Sequence, residues 1–320
     1  MQAPATSPYA VGQPFAREWL PVAGGHRLYV AQYGSPAGIS AIVLHGGPGS
    51  GCSPALAGFF DPRRYRVILL DQRGAGQSQP AGSRENNQAA DLVGDLEALR
   101  HHLGIERWLA VGGSWGATLG ILYAAAYPAA LSGLLLRNPF LARRADLDWF
   151  FSGARAPHPV AWQIWRAAGA PAEPEGLLPW LVEQFDDDGE AVPAAVIAAW
   201  QNWENALAGS PARPLAAADL PRLAERYRLQ LHYFQRDFFL AENAVLDAAT
   251  LLAGADFPLH VLQGTADDVC PASATDLLRQ RMPNCTRADI GGVGHDPFAP
   301  AMLAATISAL DAFAVRGRFA

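Results

Sequence analysis

The chain has 320 residues, half of them hydrophobic and 17% charged, so it has ample material for a core and is too apolar to be disordered. Its net charge is −6 and its 24 basic residues are dispersed without a basic run, which argues against nucleic acid and anionic membranes as partners. Cysteines stand only at 52, 270 and 285, with no C-x-x-C or H-E-x-x-H, which excludes a disulfide framework and a recognisable zinc site.

In chain order, residues 1–20 read as an arm; Met1 to Phe15 lacks the basic-then-apolar pattern of a signal peptide. No apolar run is long enough to span a bilayer, so the expected location is the cytoplasm. Residues 26–34 read as a strand ending at Gly34. Residues 40–44 and 66–70 are apolar throughout, as strands buried on both faces of a sheet should be. The first runs into His45-Gly46-Gly47-Pro48-Gly49-Ser50-Gly51 and the second into Asp71-Gln72-Arg73-Gly74-Ala75-Gly76-Gln77-Ser78. Leu92, Val93, Leu96, Leu99 and Leu103 recur at helical spacing over residues 91–103.

A strand over 108–111 then meets Gly112-Gly113-Ser114-Trp115-Gly116, followed by a helix that closes at Tyr127-Pro128. Strand, tight turn and helix around G-x-S-x-G predict a nucleophile elbow. It holds Ser114 in a strained conformation at a helix N-terminus, where dipole and free N–H groups favour an anion. Residues 131–136 make a further strand. Alternating strands and helices, with chemistry-bearing loops after the strands, imply a mostly parallel sheet flanked by helices.

From Phe140 to Val245 strand texture disappears. Trp149, Trp162, Trp165, Trp180, Trp200 and Trp203 sit among helical patterns broken by Pro157, Pro159, Pro171, Pro174, Pro179, Pro211 and Pro214. The stretch reads as an inserted helical lid, its tryptophans mostly packing small helices and a few facing the cavity. Strand 259–263, helix 272–281, strand 287–290 and a final helix over 299–315 complete the chain. The domain reading is a catalytic core of 1–139 and 246–320, with a helical cap of 140–245 inserted.

Ser114, an acid near 267 and His295 follow the order Ser…Asp…His, each just after a predicted strand, as in an α/β-hydrolase. A serine hydroxyl needs a base that takes its proton and returns it to the leaving group, and a carboxylate fixes that imidazole's tautomer. Asp267 is preferred, with Asp268 as the alternative. His26, His101, His102 and His158 read as surface or core residues. Two main-chain N–H groups should hold the oxyanion, one from Trp115 and one from the glycine-rich loop, most simply Gly47. Losing one such donor lowers the rate by about 10²–10³. That loop lacks both the Lys-Ser/Thr ending of a P-loop and G-x-G-x-x-G spacing, so phosphate binding is the weaker reading.

HGGPGSG at 45–51, DQRGAGQS at 71–78, NNQAADLVGDLEALRHHLGIERW at 86–108, GGSWGATL at 112–119 and DDVCP at 267–271 together resemble the prolyl aminopeptidases, or proline iminopeptidases. The resemblance extends to the cap edge at 143–150. It implies an α/β-hydrolase serine peptidase with a helical cap that removes N-terminal proline from small peptides and needs no cofactor and no metal. It also implies a triad of Ser114, Asp267 and His295, and a proline ring held by Phe140, Phe150 and Phe234. Cap glutamates would hold the charged amino terminus, one of them Glu204. The second glutamate, two residues before His-Tyr-Phe, is here Gln230, which supplies no charge; Asp237 and Glu242 are the nearby acids available to compensate. Cys270, close to Asp267, reads as a packing residue. The rival function is a related hydrolase of esters, amides or other N-terminal residues with altered amine recognition at Gln230. A non-catalytic binding protein is disfavoured by the intact set.

Overall fold

The structure, a computed structural model, describes residues 7–185, 191–210 and 214–319. Pro211 and the first six residues of the predicted arm lie outside the described residues.

The arm ends not as an arm but as a strand, β1 (Ala16–Pro21), which pairs antiparallel with β2 (Arg27–Gly34). Only Leu20 of β1 is buried, so this edge strand carries no apolar alternation that reading along the chain can detect. Then follow β3 (Ile39–Leu44), β4 (Tyr65–Leu70), α1 (Ala89–His102), β5 (Trp108–Ser114), α2 (Trp115–Ala126) and β6 (Leu131–Pro139). Helices alone fill the described chain from there to β7: α3 (Arg144–Phe151), α4 (Pro159–Ala167), α5 (Leu177–Phe185), α6 (Ala194–Leu207), α7 (Leu220–Phe234) and α8 (Ala244–Leu251). The chain ends with β7 (Leu259–Gly264), α9 (Ala272–Arg281), β8 (Thr286–Ile290) and α10 (Pro300–Arg316).

The strands form one sheet in the order β1-β2-β4-β3-β5-β6-β7-β8. β1, β2 and β4 pair antiparallel, and every later pairing is parallel. Both faces are covered, which explains the continuous apolar runs. Ile42, Leu44, Ile68, Leu70 and Ala110 point into the core on the α1 and α2 side. Their neighbours Ala41, Val43, Val67, Leu69, Leu109 and Val111 point into the second core, which α10 closes with Met302, Ile307, Leu310 and Phe313. The parallel strands therefore deliver the loops after β3, β5, β6, β7 and β8 to one edge.

Candidate active site

Ser114 is the last residue of β5, and α2 begins at the next residue. Its φ of 56° and ψ of −126° put it in the left-handed region, where side chains are strained. Two glycines let the chain turn this tightly. A Cβ on Gly112 would lie 2.2 Å from the Gly116 carbonyl oxygen, and one on Gly116 would lie 2.0 Å from that of Leu44. Only bare backbone fits between β3 and the first turn of α2.

His295 Nδ1 donates to Asp267 Oδ2 at 2.6 Å. The buried Asp267 also accepts main-chain N–H bonds from Val269 and Cys270 at Oδ1, at 2.8 and 2.9 Å. Asp268, the alternative acid, is turned elsewhere: it accepts from His158 Nε2 at 2.9 Å, and its carbonyl accepts from Trp149 Nε1 at 2.7 Å. The histidine loop is fixed from both sides. His295 N donates to Ala208 O at the end of α6 (3.1 Å), and Asn138 of β6 bonds Gly264 N and Gly294 O. Burial pushes the Cys270 thiol well up, and Asp267 adds to this, so the cysteine is a neutral packing group.

The glycine-rich loop passes over Ser114: a Cβ on Gly46 would sit 3.4 Å from Ser114 Cβ. Gly47 has φ 116°, and a side chain there would strike the nitrogens of Gly49 and Ser50 at 2.6 and 2.9 Å. Gln72 ties this loop to the elbow. Its Nε2 donates to His45 O and its Oε1 accepts from Trp115 Nε1, both at 3.0 Å. Gln72 N also donates to His45 Nε2 (3.0 Å), so His45 carries its proton on Nδ1, which bonds Gly46 O at 2.8 Å. Burial lowers the His45 pKa and keeps the ring neutral. These links between the two motifs escaped the reading of the sequence, although Gln72 sits inside a motif that it had singled out.

The rest of that motif leads to an anchor for α7. Arg73 bonds both oxygens of buried Asp95 at 2.7 Å. Asn87 donates to Arg73 O and Ser83 O, and receives the last turn of α7: His232 Nε2 on its carbonyl at 3.0 Å and Tyr233 OH on its Oδ1 at 2.7 Å. The Trp115 indole packs against Tyr233 and Phe238, with ring centroids 5.2 and 5.8 Å away.

Ser114, His295, Gly47, Phe140, Phe150, Phe234, Glu204 and Gln230 all line one cavity of about 420 Å³. None of the six tryptophans of the helical stretch does, which corrects the expectation that a few face it. They pack helix to helix instead; Trp200, for example, stacks on Tyr227 at 4.5 Å. Asp237 and Glu242 do not line the cavity either, and Glu242 accepts from Arg144 N on the exposed surface. Glu204 is not a free carboxylate. Arg226 Nη2 donates to both its oxygens at 3.0 Å, Tyr227 OH to Oε2 at 3.3 Å and Gln230 Nε2 to Oε1 at 3.2 Å. Sequence reasoning missed Arg226. The available signal was spacing, since Arg226 and Gln230 stand four apart on one helix and share a face.

Residues 42–300 match the model of the alpha/beta hydrolase fold family. A proline iminopeptidase of Xylella fastidiosa is 38% identical over 94% of this chain and 97% of its own. One of Arabidopsis thaliana is 34% identical over 94% of this chain and 80% of its own. The solved proline iminopeptidase of Mycobacterium smegmatis superposes with a TM-score of 0.62 at 20% identity, covering 94% of this chain and 98% of the other, which shows the shared fold. With family model, full-length relatives and sheet order in agreement, the chain belongs to the α/β-hydrolases and, within them, to the proline iminopeptidase family.

Proposed function

We propose that the protein is a serine exopeptidase that releases N-terminal proline from small peptides through an acyl-enzyme, acting in the cytoplasm. In this reading residues 140–245 are the cap and the remainder is the catalytic core. The carrying observation is the single cavity that holds Ser114 in its strained turn, the Asp267-bonded His295 and the aromatic trio Phe140, Phe150 and Phe234.

Ser114 attacks the proline carbonyl while His295 takes its proton. Asp267 holds the imidazole with Nδ1 protonated and stabilises the cation that forms. The oxyanion is held by the N–H groups of Trp115 and Gly47. His295 then protonates the departing amine, and water repeats the sequence to free proline. The three phenylalanines hold the pyrrolidine ring over Ser114.

The test is hydrolysis of prolyl and alanyl p-nitroanilides and p-nitrophenyl acetate by the wild-type and Ser114→Ala proteins. The expected result is prolyl preference that Ser114→Ala abolishes. Ester turnover without anilide turnover sinks the exopeptidase assignment, and activity surviving in Ser114→Ala sinks the triad. One observation favours a second reading, hydrolysis of acyl groups that bear no cationic amine: Glu204 is already paired with Arg226.

A further inference from the structure

The charge of the cavity determines in which form a substrate nitrogen can enter. A carboxylate offers about four lone-pair sites. At Glu204 all are taken, by Arg226 twice, Tyr227 and Gln230. Among the described residues, the charged and titratable groups lining the cavity are His45, Arg137, Glu204, Arg226, His295 and Asp296. Two guanidinium groups therefore face two lining carboxylates, with Asp267 behind His295, and burial keeps His45 neutral. Burial pulls Arg226 down, but Glu204 more than offsets it and holds the guanidinium charged. Asp296 caps its own turn by accepting from Phe298 N at 2.9 Å.

Gln230 completes the picture. It is 4% exposed, and its Oε1 has no hydrogen-bond partner among the described residues. Among the described residues the subsite thus holds a buried acceptor without a partner, and its one carboxylate, Glu204, is ion-paired. A protonated prolyl nitrogen carries two N–H groups and a full charge, and burying it here would leave the charge uncompensated beside Arg226. An uncharged secondary amine carries one N–H, which one acceptor satisfies.

We propose that this subsite takes the substrate's terminal nitrogen uncharged, with its N–H on Gln230 Oε1, and that Arg226 excludes the ammonium form by occupying Glu204. The proposal rests on the exopeptidase reading of the Ser114 site. It makes the fraction of deprotonated substrate a factor in kcat/KM.

The test is the pH profile of kcat/KM for L-prolyl p-nitroanilide divided by that for p-nitrophenyl acetate, whose acyl group has no titrating nitrogen. The division removes the titration of His295. With an α-amino pKa of about 8, the ratio is expected to fall about a hundredfold between pH 9 and pH 6. Arg226→Met and Gln230→Glu, each supplying a free carboxylate, are expected to abolish or reverse that fall. A wild-type ratio that is flat, or that rises on acidification, overturns the inference and leaves the exopeptidase reading standing. Absence of prolyl turnover at every pH, with acetate still hydrolysed, overturns the exopeptidase reading and the inference with it. The wild-type profile decides even where a variant fails to fold.

Discussion

Gln72 does not line the cavity, yet it joins the two segments proposed to hold the oxyanion, so Gln72→Met is a test of positioning. Methionine keeps the volume and removes both side-chain bonds. Two buried groups then lose their partners, the Trp115 indole N–H and the His45 carbonyl. Each such loss costs about 1–3 kcal/mol, or about 2–6 kcal/mol together. At about 2–4 °C per kcal/mol for a domain approaching this size, the melting temperature should fall by at least about 4 °C. Catalysis should suffer separately. Complete loss of an oxyanion donor costs about 10²–10³ in rate, so a displaced donor should lower kcat about tenfold or more. KM for a small ester should stay near the wild-type value, because the substrate does not touch residue 72. The assay is p-nitrophenyl acetate hydrolysis well below the melting transition, together with thermal denaturation. A lower melting temperature with unchanged kcat would reduce Gln72 to a structural residue. An unchanged melting temperature would refute the energetic reasoning as well.

The remaining predictions concern the acid pair, two glycines and Glu97. Asp267→Asn should lower kcat by about 10⁴, because the imidazole loses the carboxylate that sets its tautomer, whereas Asp268→Asn should remain within about threefold of wild type. Equal losses in steady-state assays would contradict the His158 pairing of Asp268. In α1, a Cβ on exposed Gly94 meets nothing within 4 Å, so Gly94→Ala should raise stability by about 0.5–1 kcal/mol in denaturant titrations. Gly116→Ala, aimed at the Leu44 carbonyl, should give no folded protein. Glu97 is held down from its ordinary 4.5 to about 2, chiefly by bonds from Arg100 and also by Tyr123. Its folded pKa lies below its unfolded one, so its contribution is full above pH 4.5 and is lost as the pH falls toward 2. Solvent screening at this site leaves about 1–2 kcal/mol. Glu97→Gln should therefore melt below wild type at pH 7, with the gap closing over that acid range.

The parts that were legible in the sequence are those that local backbone dictates. Gly112, Ser114 and Gly116 specify a turn whatever lies around them, and the apolar runs of β3, β4 and β5 announce a sheet covered on both faces. The preference for Asp267 over Asp268 rests on chain position alone, since the contacts that separate the two are not local. Adjacent carboxylates on one turn point apart, and which one meets His295 depends on the amides of Val269 and Cys270 and on His158 from the helical stretch. β1 was hidden because an edge strand with one buried side chain has no period to read. The ion pairing of Glu204 was hidden for another reason. Its partner lies on a different helix, 22 positions away in sequence, and only packing of α6 on α7 brings them together.

The last turn of α7 is moored to Asn87 through His232 and Tyr233, while Gln230 and Arg226, about one and two turns earlier, line the cavity. One helix thus carries an anchor and, on the proposed reading, a selector. On that reading, exchanges at 226 and 230 re-tune what the enzyme admits while leaving the bonds to Asn87 and the turn at Ser114 in place. Substrate preference in this architecture can therefore drift while the reaction machinery stays constant. Two members with identical triads can differ in the protonation state of the substrate they accept.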